Sequence, residues 1–364
     1  MKIAKVEPIL INIPYRHDGP LDVPGHAIRT SLDFLFVRVE TDDGTVGWGE
    51  AFDFGFARTT RSAILDYLAP RFVGQDARNI VALSDRMQHQ FRNAGRGGPL
   101  LYGLSGIEIA LWDIAGKEAG KPLCELLGGP ARTTLPAYAS LARFGEPEAV
   151  GRNVAAAVAA GYKWIKLHEH EVAETRAARE AMGPDLPLLL DTQSPWNVAE
   201  AIDAADALAE FDPYWIEEPV WPVEDFEGLA KVAEEAGVAI AAGENAATLI
   251  EFRRMFEAGA VSFVQPSITK VGGIHAMQRI IALADAWGVT TVPHCPYHGA
   301  GLVATLHVLA TRPQAVPVEH GYFDFEAHPY GDALAQQDGM LTVPDGPGLG
   351  IEPNLAVLER YRVD

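Results

Sequence analysis

The feature that most restricts the fold is a repeat of about 26 residues in the middle of the chain. Between residues 135 and 321, apolar runs of strand character end on polar residues, and alanine-rich stretches with helical periodicity separate them. The eight runs are LPAYAS, KWIKLH, PLLLDTQ, YWIEEP, AIAAGE, SFVQPS, VTTVPH and AVPVEH. Strands and helices that alternate over roughly 190 residues predict a (β/α)8 barrel, although an open doubly wound sheet has the same alternation.

The polar residues that end these runs follow one another at intervals of 23 to 28 residues. In a barrel, the carboxyl ends of all strands meet at one mouth, where the active site forms. We therefore expect these side chains to surround one mouth: Tyr138, Lys166, Asp191, Glu217, Glu244, Ser267, His294 and Glu319.

Residues 1–125 have a different pattern and predict an α+β domain ahead of the barrel, which we place at residues 126–321. The predicted strands of the first domain are Ile3–Ile13, Phe34–Glu40 and Val46–Ala51, with TDDGTVG as a hairpin turn. Residues 322–364 are turn-rich. Because no barrel strand is left to form, we expect this last segment to fold back on the first domain.

Composition narrows the class of protein. A formal charge of −20 argues against binding to nucleic acid or to an anionic membrane, since both need a basic surface. No apolar run approaches the ~18 residues that a membrane span needs. Two distant cysteines, Cys124 and Cys295, fit no metal-binding spacing and favour a reducing compartment. With no signal-peptide pattern at the start, a cytoplasmic enzyme is expected, although composition equally allows a binding protein.

Three acids end consecutive predicted strands: Asp191, Glu217 and Glu244. Converging carboxylates repel one another, and a hard divalent cation such as Mg²⁺ relieves that repulsion with oxygen ligands. The alternative is that the acids cap helices or pair with loop cations. Gln193 and Asn245, beside two of the acids, are candidates to support the ligands, or they bond only to loop backbone.

The order of motifs is more specific than any motif alone. Lys166-x-His168, Asp191, WIEEP, GEN, KVGG, a histidine and a glutamate follow in turn, and ALWDIAGKEAGKPLCELLGG and PDGPGLGIE flank them. This set resembles the enolase superfamily, in its mandelate racemase-like branch. The resemblance implies a modified (β/α)7β barrel under an N-terminal capping domain that the C-terminal segment completes. It also implies a homo-oligomer with one Mg²⁺ per subunit on the three acids, acting on a small anionic hydroxy carboxylate.

The family's reaction removes the proton α to a carboxylate and forms a metal-stabilised ene-diolate. Lys166 and His168 are two residues apart on one strand and therefore point to the same face. The family usually has a second lysine where this chain has His168, so either residue is a candidate base. We expect the metal and a neighbouring cation to lower the pKa of Lys166, as a base near neutral pH requires.

On the opposite side, His294 matches the branch's catalytic histidine, although a contact to substrate is the alternative. The aspartate that orients this histidine in the branch is replaced by Ser267, which can bond to imidazole but cannot stabilise imidazolium. Glu319 matches the acid that donates a hydrogen bond to the substrate carboxylate when it is protonated. Lys270 is expected to be a supporting lysine, and His298 fits a binding role and a surface role equally well.

Substrate contacts are expected from the first domain, because the barrel mouth needs a cover that excludes water. The candidates in YRHDGPLDVPGHAIR are His17, His26 and Arg29, and AFDFGFAR follows Glu50.

The leading prediction for the reaction is β-elimination of water from an aldonate or aldarate, which gives a 2-keto-3-deoxy acid. A racemase or epimerase, and a lactone cycloisomerase, are alternatives on the same site. A non-catalytic protein that binds a carboxylate or a metal is the alternative of another class.

Overall fold

The computed structural model describes residues 1–20 and 29–363, and its N-terminal part is built on an antiparallel sheet. Three of its four strands match those predicted from the sequence: β1 (Ile3–Arg16), β2 (Ser31–Thr41) and β3 (Val46–Ala51). The turn between β2 and β3 closes with a hydrogen bond of 3.0 Å from the Thr41 N–H to the Thr45 carbonyl.

The helices of this part pack on the sheet, and the longest of them lies directly on β3. A Cβ atom added to Gly49 would lie 1.9 Å from the Gly106 carbonyl oxygen, so the glycines of VGWGE permit this close approach. A π-helical segment, Ala63–Leu68, joins the first two helices. The helices are α1 (Ala57–Ser62), α2 (Ala69–Phe72), α3 (Ile80–Gln90), α4 (Gly98–Ala119) and α5 (Leu123–Leu126).

A curled parallel sheet with seven connecting helices follows. Its strands are β4 (Thr134–Ser140), β5 (Ile165–Leu167), β6 (Leu188–Asp191), β7 (Pro213–Glu217), β8 (Ile240–Ala242), β9 (Phe263–Val264), β10 (Thr290–Thr291) and β11 (Val318–Gly321). The helices are α6 (Pro147–Ala159), α7 (Val172–Met182), α8 (Val198–Leu208), α9 (Phe226–Glu235), α10 (Leu249–Glu257), α11 (Ile274–Trp287) and α12 (Ala300–Ala310).

The strand order is β10-β9-β8-β7-β6-β5-β4-β11, which confirms the predicted (β/α)7β arrangement. The path ends at β10 on one side and at β11 on the other. A side chain bridges this seam, because the Cys295 N–H donates to Glu319 Oε2 at 2.8 Å. Glu319 therefore has a structural partner as well as a place at the barrel mouth.

The C-terminal segment returns to the first domain only in part. β12 (Asp324–Phe325) pairs with β1, and α13 (Leu355–Arg360) leads to a hydrogen bond from Val363 N–H to the Leu10 carbonyl. Between them, β13 (Met340–Thr342) pairs antiparallel with β4. The expectation that no barrel strand remained was wrong, because the start of β4 extends beyond its neighbours and offers a free edge.

The N-terminal sheet is buried on both faces. Ile11 and Phe36 belong to the core shared with the barrel, whereas Leu10 and Leu35 belong to the core under α3 and α4. This double burial explains the unbroken apolar runs at residues 8–11 of β1 and 34–37 of β2. Among the described residues, no helix combines the length and apolar character needed to cross a bilayer.

Candidate active site

Three carboxylates converge at the barrel mouth. Asp191 ends β6, Glu217 ends β7, and Glu244 follows β8. Each offers an oxygen, and these atoms all lie within 4.8 Å of one another. A capping box between Thr248 and Glu251 starts α10 and fixes the loop that carries Glu244.

The donor set fits a hard divalent cation. Burial raises the pKa of Glu217 well above its usual value, and the neighbouring charge of Asp191 raises it further. Burial is the larger cause, and the repulsion from Asp191 is the part of the shift that a bound cation would relieve. Oxygen ligands without thiolate or imidazole are the set that Mg²⁺ prefers.

Lys166 is the cation at the centre of this cluster and has no solvent contact. Its Nζ lies 3.1 Å from Asp191 Oδ2, 3.0 Å from Glu217 Oε1 and 2.8 Å from Glu319 Oε1. Burial lowers the pKa of Lys166, but the three carboxylates outweigh burial and raise it well above its usual value. The lowered pKa expected from the sequence depends on a bound metal and a neighbouring cation, and it stays a prediction.

Glu319 is held as a carboxylate. Its Oε1 accepts a hydrogen bond of 2.8 Å from Ser140 Oγ in addition to the Lys166 contact. Burial raises the pKa of Glu319, but Lys166 and His294 lower it further, to about 2. These contacts favour the ionised form, whereas the predicted role as a hydrogen-bond donor uses the protonated form.

His168 faces the same acids from the end of β5. Its Nδ1 lies 2.6 Å from the Leu141 carbonyl oxygen, and its Nε2 lies 3.3 Å from Asp191 Oδ2. A carbonyl oxygen only accepts, so Nδ1 carries a proton and Nε2 is the atom that gains or loses one. Burial lowers the pKa of His168, but the charge and hydrogen bond of Asp191 outweigh burial and raise it.

His294 approaches from the opposite side, with Nε2 at 3.0 Å from Glu244 Oε2. Its buried Nδ1 has no hydrogen-bond partner among the described residues. Ser267, which occupies the position of the family's orienting aspartate, bonds instead to the Tyr297 hydroxyl. Burial lowers the pKa of His294. The imidazole therefore lacks a group that would stabilise its charged form through Nδ1.

Two of the candidate supporting residues bond to the acids. Asn245 donates from Nδ2 to Glu244 Oε1 at 3.2 Å, and its Oδ1 accepts from Lys270 Nζ at 3.2 Å. The Gln193 backbone N–H donates to Asp191 Oδ1 at 3.1 Å. Lys270 therefore reaches Glu244 through Asn245, and Gln193 contacts Asp191 through its backbone.

A cavity of about 580 Å³ lies between the barrel mouth and the N-terminal part. The barrel contributes His168, Asp191, Glu244, His294 and Glu319 to its wall, as well as Gln193 and His298. The N-terminal part contributes the predicted residues His17 and Arg29. His26 lies outside the described residues.

Several residues of the site were missed at the sequence level. Arg143 lies in the cavity wall, and its Nε is 3.7 Å from Glu169 Oε2, behind which the Gly145 N–H donates to Glu169 at 3.0 Å. Glu50, just ahead of the predicted loop AFDFGFAR, and Asp53 within that loop are buried in the same wall. Their position beside recognised motifs was the only available signal, because their partners are far away along the chain.

The fold and the site define a class of protein. It has a parallel barrel whose mouth carries a cation site built from three carboxylates, and an α+β domain covers that mouth. Sequence comparison agrees with this class. Residues 9–128 match the mandelate racemase/muconate lactonizing enzyme N-terminal domain, and residues 149–357 match the enolase C-terminal domain-like family.

Relatives cover almost the whole chain. It is 34% identical to a D-galactarolactone cycloisomerase from Agrobacterium fabrum, over 100% of this chain and 99% of that protein. It is 34% identical to a D-galactonate dehydratase from Ralstonia nicotianae, over 90% and 91% of the two chains. A crystal structure of a mandelate racemase/muconate lactonizing protein from Paracoccus denitrificans, complexed with magnesium, superposes with a TM-score of 0.85 at 33% identity, over 100% and 98%.

The chain belongs to the mandelate racemase/muconate lactonizing enzyme family of the enolase superfamily, which confirms the resemblance drawn from its motifs.

Proposed function

We propose that the protein is a Mg²⁺-dependent acid-sugar dehydratase. It removes the proton α to a carboxylate and expels the β-hydroxyl as water, which leaves a 2-keto-3-deoxy acid. The observation that carries this proposal is the convergence of Asp191, Glu217 and Glu244 between two proton-transfer groups, His168 and His294. Relatives named as D-galactonate and arabinonate dehydratases support the substrate class.

Asp191, Glu217 and Glu244 would hold the metal. When bound, Mg²⁺ supplies the positive charge that stabilises the two oxygens of the substrate carboxylate as the α-proton leaves. Lys166 adds a fixed positive charge next to the same acids, and its three carboxylate contacts keep it protonated. We therefore assign Lys166 an electrostatic role rather than that of the base.

His168 is the proposed base. The Leu141 carbonyl fixes the Nδ1 proton, so the neutral ring presents the lone pair of Nε2. His168 also lines the cavity in which a substrate would lie. Activity is expected to rise with pH as this imidazole loses its proton.

His294 is proposed to donate the proton to the departing hydroxyl, from the opposite side of the cavity. Racemisation needs an efficient base on each face. The orientation of Ser267 toward Tyr297 leaves His294 without a charged partner at Nδ1, which favours elimination.

Cycloisomerisation is the second candidate, because opening a lactone or anhydro ring by elimination also needs one strong base. Relatives named as cycloisomerases of D-galactarolactone and of 3,6-anhydro-α-L-galactonate support it. Formation of a keto acid without net loss of water would identify it.

The test is exchange of the substrate α-proton in D2O with Mg²⁺, followed by NMR across stereoisomeric sugar acids, with the 2-keto product measured in parallel. His168→Asn should lower both rates by about 100-fold or more, the range of a general base. His170→Asn is the matched control two residues away and should stay within about threefold of wild type. Exchange retained in His168→Asn would refute the assignment of the base. Carboxylate binding without exchange of any acid would favour the non-catalytic alternative.

We also propose one Mg²⁺ per subunit, a cytoplasmic location and a homo-oligomer, with the three domain boundaries given above. Among the described residues, one acidic cluster meets the spacing of a metal site, which supports the stoichiometry. Metal analysis and light scattering test the ion count and the assembly.

A further inference from the structure

Aromatic rings line one side of the active-site cavity. We call Tyr15, Phe34, His298 and Phe323 the aromatic wall. Ring centroids lie 6.1 Å apart for Phe34 and His298, 5.8 Å for His298 and Phe323, and 4.7 Å for Phe323 and Tyr15. The rings are therefore in mutual contact and form a continuous surface.

His298 is the polar member of the aromatic wall and is only 4% exposed. Its Nε2 has no hydrogen-bond partner among the described residues. Burial lowers the pKa of His298 well below its usual value, and His320 and His328 lower it further. A buried polar atom without a protein partner is generally satisfied by water or ligand, and a neutral imidazole suits a hydroxyl group.

Two acids from the first domain line the same cavity. Glu50 Oε2 accepts a hydrogen bond of 2.7 Å from the Gly301 N–H, and Asp53 Oδ2 accepts one of 3.1 Å from the Leu35 N–H. Neither makes an ion pair within the described ranges. Burial raises the pKa of Glu50 to about 7 and that of Asp53 well above its usual value. The same burial, with no cation paired to either acid in the described ranges, would also disfavour a second anion in this part of the cavity.

The two arginines of the cavity wall have acidic neighbours. Arg143 Nε lies 3.7 Å from Glu169 Oε2. Arg29 is exposed, its guanidinium lies 3.6 Å from the centre of the Phe54 ring, and the charge of Asp33 acts on it. Arg143 thus lies beside an acid and Arg29 is exposed to solvent, so neither provides a buried, unbalanced positive charge.

Building on the proposed function, we infer that the cavity selects sugar acids with one carboxylate over dicarboxylates, and places their uncharged end against the aromatic wall. The single carboxylate lies at the end of the cavity beside the acids that would hold the metal. Aromatic faces pack on the C–H faces of a sugar chain or ring, and His298 forms hydrogen bonds with the hydroxyl groups of the sugar. A second carboxylate would lose its hydration without gaining a buried, unbalanced counter-charge among the described residues, which is costly.

The test compares six-carbon aldonates with aldarates of the same configuration, which differ only in CH2OH against COO⁻ at the last carbon. With full-length protein and Mg²⁺, kcat/KM for the best aldonate should exceed that for its matched aldarate by about 100-fold or more. Aldarate turnover equal to or faster than aldonate turnover would overturn the inference while leaving the proposed function intact. No exchange with any acid of either series would overturn both.

Variants locate the selectivity. His298→Phe keeps a ring in the aromatic wall but removes its nitrogens, and should raise KM for the aldonate about tenfold with a smaller change in kcat. His89→Phe changes an exposed histidine of α3 and is the matched control. An unchanged KM in folded His298→Phe would overturn the role of the aromatic wall. If the protein turns over aldarates and Arg29→Gln abolishes that turnover, Arg29 binds a second carboxylate and the inference fails.

Discussion

Lys166 offers the sharpest test of the electrostatics of the site. Replacing Lys166 with methionine keeps most of the side-chain volume and removes one positive charge from a position without solvent contact. The three carboxylates at 2.8, 3.0 and 3.1 Å then lose their shared partner. Breaking a buried ion pair by removing one partner costs about 3–5 kcal/mol. We expect the metal-free variant to lose about that much free energy of unfolding.

The assay is urea unfolding followed by circular dichroism in the presence of a chelator. Lys231→Met is the matched control, because Lys231 Nζ lies 3.7 Å from Glu235 Oε1 on an exposed helix face. An exposed pair contributes at most about 1 kcal/mol, so this control should stay within that range. Mg²⁺ should stabilise Lys166→Met more than wild type, because the ion replaces the lost charge. Equal losses for Lys166→Met and Lys231→Met would refute the reasoning.

Two further predictions concern pH and metal. The pKa of Glu50 is raised from 4.5 to about 7, so its contribution favours folding below pH 4.5 and is lost as pH rises through 7. A shift of that size is worth about 3 kcal/mol, and wild type should lose about that much more free energy of unfolding than Glu50→Gln between pH 4.5 and 8 in urea titrations. Identical pH profiles would contradict this. Chelation should abolish α-proton exchange, and Mg²⁺ should restore it. Glu244→Gln should need a much higher Mg²⁺ concentration for the same exchange rate. Exchange that persists in chelator would exclude a role for the metal in proton abstraction.

The alternation of the sequence predicted the barrel because strand and helix periodicity are local properties. Each of the eight runs overlaps a strand of the curled sheet. Of the residues expected at its mouth, Asp191, Glu244, His294 and Glu319 line the cavity, whereas Tyr138 is fully buried against the Trp215 ring. The C-terminal segment was less predictable. Nothing in residues 340–342 shows that the edge of β4 is free, because that depends on how far neighbouring strands extend.

The residues of the candidate site also fall into those that the local sequence predicted and those that it did not. Asp191, Glu217 and Glu244 could be named from spacing, since one βα unit advances the chain by one strand of the barrel. The partner of Ser267 could not, because the Tyr297 hydroxyl is 30 residues away and reaches it only through the fold. Glu50 likewise contacts the start of α12 across 251 residues.

The sequence by itself determined the order of the strands, the three acids at their ends, and the Lys166-x-His168 pair on one face. Those features follow from period-two alternation and a repeat of constant length, which the chain carries locally. Only the tertiary structure decided which acids surround Lys166 and which nitrogen of His168 holds the proton. Both depend on groups from other strands, namely three carboxylates around one ammonium and the Leu141 carbonyl, and such through-space contacts have no local pattern.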